Sequence, residues 1–135
     1  MKKLIATLTF TLFSTLLFAQ TNDYQLSSHI LDISKGAPVS GVSIKLEKYN
    51  EKKKTWSTVD EKITDENGRI GNFLPSQKSN LGIYKLTFLT SDYFKKNDIE
   101  SFYPFIEVVF QIKDNKHYHV PITLSAFGYG TYRGN

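Results

Sequence analysis

Of the three histidines in the 135-residue chain, His117 and His119 stand two positions apart. In a β-strand that spacing sends both imidazoles to one face, while Tyr118, Val120, Ile122 and Leu124 take the other. An imidazole with an ordinary pKa of about 6.5 holds or releases a proton near neutrality, so such a face is equipped for acid-base chemistry. Two other readings stay open on spacing alone. The pair is also what a solvated strand surface looks like, and with His29 it makes the three-imidazole set by which zinc hydrolases leave a position for water. Arg69, directly after the turn Asp65-Glu66-Asn67-Gly68, offers a fixed fork of donors for a polar planar group, although an arginine there is equally an ordinary surface charge. Tyr132-Arg133-Gly134 lies at a terminus, where chains usually fray. The glycines and aromatics around it, Phe127 to Tyr132, are not the composition of disorder.

These residues need rigid neighbours, and the rest of the sequence reads as strands. Apolar residues recur with period two in short runs separated by turn formers about every ten positions, the pattern of an all-β sandwich or barrel. Tyr24 to Ile33 is a first strand carrying His29, ended by Lys35-Gly36-Ala37-Pro38. Val42 to Tyr49 is a second, with Val42, Ile44 and Leu46 on one face. Thr55 to Thr64 is a third, running into Asn67-Gly68, which signals a hairpin that delivers Arg69. Ile83 to Leu89 alternates again. Ser91 to Lys96 is the one expected helix, with Ser91 as N-cap and Asp92 in its first turn. Phe105 to Ile112 and His117 to Leu124 complete a hairpin about Asp114-Asn115.

The first residues carry an export signal: Lys2 and Lys3, an apolar run from Leu4 to Phe18, and Ala19 before Gln20. We place a cleaved signal peptide at residues 1–19 and one domain at 20–135. The run is shorter than the roughly 20 residues that span a bilayer, so no membrane association is expected once it is removed. There is no cysteine, which excludes disulfides and a lipidated N-terminal Cys. Removal of Lys2 and Lys3 leaves 15 basic against 13 acidic side chains, a net +2 that calls for no nucleic acid. Lys52-Lys53-Lys54 between two apolar segments is a solvated hairpin tip. With no anchoring feature, a periplasmic or secreted location follows.

The residues together resemble the 5-hydroxyisourate hydrolases, the transthyretin-related proteins of purine catabolism. The likeness runs through Ser28-His29-Ile30-Leu31-Asp32, Gly36-Ala37-Pro38, Gly41-Val42, Thr64-Asp65-Glu66-Asn67-Gly68-Arg69, Phe102-Tyr103-Pro104 and His117-Tyr118-His119-Val120-Pro121. It closes on Leu124-Ser125-Ala126-Phe127-Gly128-Tyr129-Gly130-Thr131-Tyr132-Arg133-Gly134. The family motif ordinarily ends Tyr-Arg-Gly-Ser, where this chain has Asn135, and has Pro where Ala126 stands. Transthyretin shares the sandwich without the terminal motif or the histidine set.

The resemblance implies a transthyretin-like sandwich of two antiparallel sheets with one short helix. It also implies cofactor-free hydrolysis of 5-hydroxyisourate to 2-oxo-4-hydroxy-4-carboxy-5-ureidoimidazoline in a homotetramer with sites at subunit interfaces. His29, Arg69 and His119 would be catalytic, no metal would be bound, and His29, Arg69, His117 and Tyr132 would bind substrate. The competing class is a transthyretin-like module that holds a small ligand without turning it over.

Overall fold

A computed structural model describes residues 23–135; the signal peptide expected at 1–19 lies outside the described residues. Strand β1 (Tyr24–Asp32) organises everything else. Leu26, Ser28, Ile30 and Asp32 are buried, while Ser27, His29 and Leu31 look outward, half-buried, as the period of two requires. Along its first half β1 pairs with β5 (Arg69–Pro75), and along its second half with the two-residue β2 (Ala37–Pro38), both antiparallel. Its other edge runs parallel to β8 (Tyr118–His119) and then β9 (Ile122–Ser125). Pro121, which has no N–H to give a ladder, separates those two strands. β10 (Gly128–Thr131) closes the sheet antiparallel to β9.

The second sheet is antiparallel throughout, in the order β4 (Thr55–Ile63), β3 (Ser43–Asn50), β6 (Gly82–Phe88), β7 (Ile106–Ile112). The expected two-sheet sandwich is therefore present, with one qualification: the first sheet is mixed, because β1 takes two parallel neighbours. Leu26, Ile30, Phe73 and Ile122 from one sheet meet Ile44, Leu46, Leu86 and Ile106 from the other in one buried apolar core. The β3–β4 hairpin puts Lys52, Lys53 and Lys54 at an exposed tip, as expected.

Three local expectations are corrected. The Asn67-Gly68 turn does not join a hairpin, because β4 belongs to the second sheet and β5 to the first. Gly68, at φ +69°, sits where a Cβ would lie 2.8 Å from the Ile30 carbonyl oxygen, and the Ile30 N–H donates to Gly68 O (3.0 Å), which binds the turn to β1. Likewise Asp114-Asn115 does not fold β8 onto β7. The Gln25 side-chain amide donates to the carbonyls of Asp114 (2.7 Å) and Lys116 (3.1 Å), and Val120 N–H donates to Ser27 O, so the segment is drawn to β1. In both cases the chain reverses across the core rather than within a sheet. Finally, helix α1 (Ser91–Lys96) is capped by Thr90, whose carbonyl accepts the first helical bond from Phe94 N–H; Ser91 is already inside the helix.

Candidate active site

The outer face of β5, β1 and β8 collects most of the chemistry-bearing residues. The register sets Arg69 of β5 directly beside His29 of β1, and Ser27 of β1 directly beside His119 of β8. Because side chains two apart share a face, Ser27 and His29 on β1, His119 on β8 and His117 just before it form a single polar surface edged by Arg69. Four of the five site residues expected from sequence, His29, Arg69, His117 and His119, are thus brought together.

Each is held by its surroundings. The Asp65 carboxylate accepts the N–H groups of Asn67 and Arg69, both at 2.9 Å, and Gly68 N–H donates to Asp65 O, so the turn presents Arg69 in one orientation. Ser28 Oγ donates to Val120 O at 2.8 Å, which locks β1 to the strand carrying His119. The terminal segment then clamps that histidine: Gly134 N–H donates to His119 O at 2.8 Å, and a Cβ at Gly134 would lie 2.5 Å from His119 Cδ2. Only glycine lets the terminus pack against the imidazole.

Ser27 is the residue the sequence reading missed. Its Oγ lies 2.8 Å from His117 Nε2 and 2.8 Å from His119 Nδ1, and His117 Nδ1 lies 3.0 Å from the Tyr24 carbonyl. The period that paired His117 with His119 also pairs Ser27 with His29, so the signal was present; what was missing was the long-range pairing of β1 with β8.

The site disfavours positive charge on His119 and His29. Burial, then the Arg69 guanidinium, then His29 and His117 push the His119 pKa below its ordinary value. His29 is also lowered, by burial first and Arg69 second, against a hydrogen bond to the Asn67 backbone and the charge of Asp65. Both are therefore neutral bases at pH 7. Both His117 nitrogens face hydrogen-bond partners, and among the described residues no group of three or more His, Cys, Asp or Glu is placed to hold a metal.

Tyr132 lies apart from this cluster. It is 59% exposed and, with Thr131 and Arg133, lines a cavity of about 480 Å³ against Val108 to Gln111 of β7. Arg133 stacks over the Tyr118 ring with its guanidinium carbon 4.4 Å from the centroid, so it staples the terminus rather than facing the histidines.

Both the sequence and the fold have counterparts among known proteins. The model of the HIUase/Transthyretin family matches residues 26–134. A probable 5-hydroxyisourate hydrolase of Caenorhabditis elegans is 44% identical over 111 residues, covering 82% of this chain and 81% of that protein. The 5-hydroxyisourate hydrolase of Salmonella dublin is 42% identical over 111 residues, covering 82% and 80%. Among solved structures, 5-hydroxyisourate hydrolase of Klebsiella pneumoniae superposes with a TM-score of 0.69 at 35% identity, covering 82% of this chain and 98% of that one. Sea bream transthyretin in complex with thyroxine gives 0.76 at 29% identity, covering 82% and 94%.

Proposed function

The chain belongs to the HIUase/Transthyretin family, and from that premise we propose that it hydrolyses 5-hydroxyisourate with His119 as general base and Arg69 as the group that holds the reacting carbonyl. The reaction belongs to urate degradation and gives 2-oxo-4-hydroxy-4-carboxy-5-ureidoimidazoline. The observation that carries the residue assignment is the juxtaposition, on one sheet face, of a guanidinium with two imidazoles of depressed pKa.

His119 takes a proton from water as the water oxygen bonds to the ring carbonyl carbon. The ring C–N bond then breaks, and the same proton passes to the departing nitrogen, so one water is consumed and no cofactor enters. General-base help of this kind contributes typically 10²–10⁴-fold. Arg69 stabilises the negative charge that gathers on the carbonyl oxygen, and its planar fork keeps the substrate ring in register. His29, beside Arg69, hydrogen-bonds the ring. His117 acts behind His119 rather than on the substrate, and Tyr132, apart from the cluster within one subunit, has no substrate contact assigned to it.

We further infer export of the chain, with residues 1–19 removed and the mature protein in the periplasm; Lys2, Lys3 and the run Leu4 to Phe18 support this. We infer a homotetramer as well. Val109, Phe102 and Phe127 are exposed at 58%, 70% and 72%, large apolar surfaces that association would cover. Light scattering on the mature protein tests the assembly: a monomer with full activity contradicts it. The activity itself is tested by generating 5-hydroxyisourate from urate with a uricase and following its ultraviolet decay with and without the protein. A transthyretin-like binding module would leave the decay rate unchanged.

A further inference from the structure

Ser27 stands between two imidazoles, and the proton count of that arrangement has one solution when His117 is neutral. His117 Nδ1 lies 3.0 Å from the Tyr24 carbonyl, which can only accept, so Nδ1 carries the proton. Nε2 of the same ring is then a bare acceptor, and the Ser27 hydroxyl 2.8 Å away must donate to it. A hydroxyl has one hydrogen. Towards His119 Nδ1, also at 2.8 Å, Ser27 is therefore an acceptor, and His119 Nδ1 carries the proton.

We infer that Ser27 is a positioning residue which, anchored through His117 to the Tyr24 carbonyl, holds His119 in the Nδ1–H tautomer and so leaves Nε2 as the unprotonated nitrogen. The inference rests on the assignment of His119 as base for its catalytic consequence, but the tautomer itself is a property of the resting protein. It explains why a second histidine that need not touch substrate stands two residues from the first: His117 supplies the acceptor that fixes the direction of the Ser27 hydroxyl. The carboxylate that orients a histidine in many hydrolases is here replaced by a neutral chain, Tyr24 O, His117, Ser27. That suits a site in which Arg69 already discourages an imidazolium. Gly134, packed on the far side of the His119 ring, keeps the imidazole from rotating away from Ser27.

The test is long-range ¹H–¹⁵N correlation NMR of the histidine rings at pH 8.5, on the wild type, Ser27→Ala and Ser27→Thr, with kcat and KM measured on the same samples. The wild type should show His119 protonated at Nδ1. Ser27→Ala should move His119 towards the Nε2–H form and lower kcat by about 10- to 100-fold, the range seen when an orienting partner is removed, with KM little changed. Ser27→Thr, which keeps the hydroxyl on a strand that accepts β-branched residues, should restore the tautomer and most of the rate. A wild-type His119 protonated at Nε2 overturns the inference whatever the activity, as does an Ala variant with unaltered tautomer. Wild-type protein that shows the Nδ1–H form yet turns over no 5-hydroxyisourate would instead overturn the assigned function and leave the tautomer assignment standing. Circular dichroism melts of the three proteins separate either result from unfolding.

Discussion

The outer faces of the two sheets carry polar clusters of similar size with opposite designs. On the second sheet, Lys85 reaches Glu47 at 3.2 Å and Glu107 at 3.4 Å while its ammonium lies 4.6 Å from the Trp56 ring centre, and Lys45 adds a further contact to Glu47 at 3.4 Å. Charge there is matched by charge. On the first sheet, Arg69 and three histidines gather around Ser27, the nearby Asp65 carboxylate is taken up by backbone N–H groups, and among the described residues Arg69 makes no ion pair. The difference separates structure from function: a cluster that satisfies itself needs no ligand, whereas an array of donors and neutral bases around an unpaired guanidinium is completed by an electron-rich ring.

The contrast breaks most sharply at His119. Replacement by Asn should lower kcat for 5-hydroxyisourate by about 10²–10⁴-fold, the span of a lost general base, with an unchanged melting temperature. Arg69→Lys keeps the charge but loses the fork; measured as kcat/KM, it should cost about 10²–10³-fold, as for a lost oxyanion donor. Gly134→Ala should cost about 10-fold or more in kcat, because the methyl group meets the His119 ring at 2.5 Å and displacements of an ångström are felt at that scale. On the other face, Lys85→Met should leave kcat and KM as they are and lower stability by about 1 kcal/mol in urea titration, through the lost contacts to Glu47, which keeps only Lys45, and to Glu107.

The pH response should also divide the faces. His119 and His29 have folded pKa values below 6.5, so their neutral forms persist as pH falls past that of a free histidine. The rate, kcat/KM, should hold below pH 6.5 and drop only as pH passes the lowered values. Their sign for stability is the same: the unfolded chain takes up protons first, so their contribution is present in full above pH 6.5 and is lost as pH falls through the folded pKa values.

The contrast also explains what could be read from sequence. Which residues share a face is local information, so the alternation of Tyr118, Val120, Ile122 and Leu124 against His117 and His119 was legible. Which strand lies beside which is not local. Asn67-Gly68 and Asp114-Asn115 say that the chain turns, and both turns were read as hairpins although each crosses from one sheet to the other. The partners of β1 are chosen instead by core burial at Ile70, Phe73 and Tyr118 and by bonds such as Ser28 Oγ to Val120 O. Ser27 escaped notice for the same reason, since its meaning depends on residues 90 and 92 positions away. His29 and Arg69 were marked by resemblance, and their adjacency needed the β1–β5 register.

The central claim is that this face, and His119 above all, hydrolyses 5-hydroxyisourate. Its most direct test is the decay of uricase-generated 5-hydroxyisourate in the presence of wild-type protein and of His119→Asn. Rapid decay is expected with the wild type and a rate near the uncatalysed one with the variant; equal rates for the two, or no acceleration by the wild type, would contradict the assignment of this face.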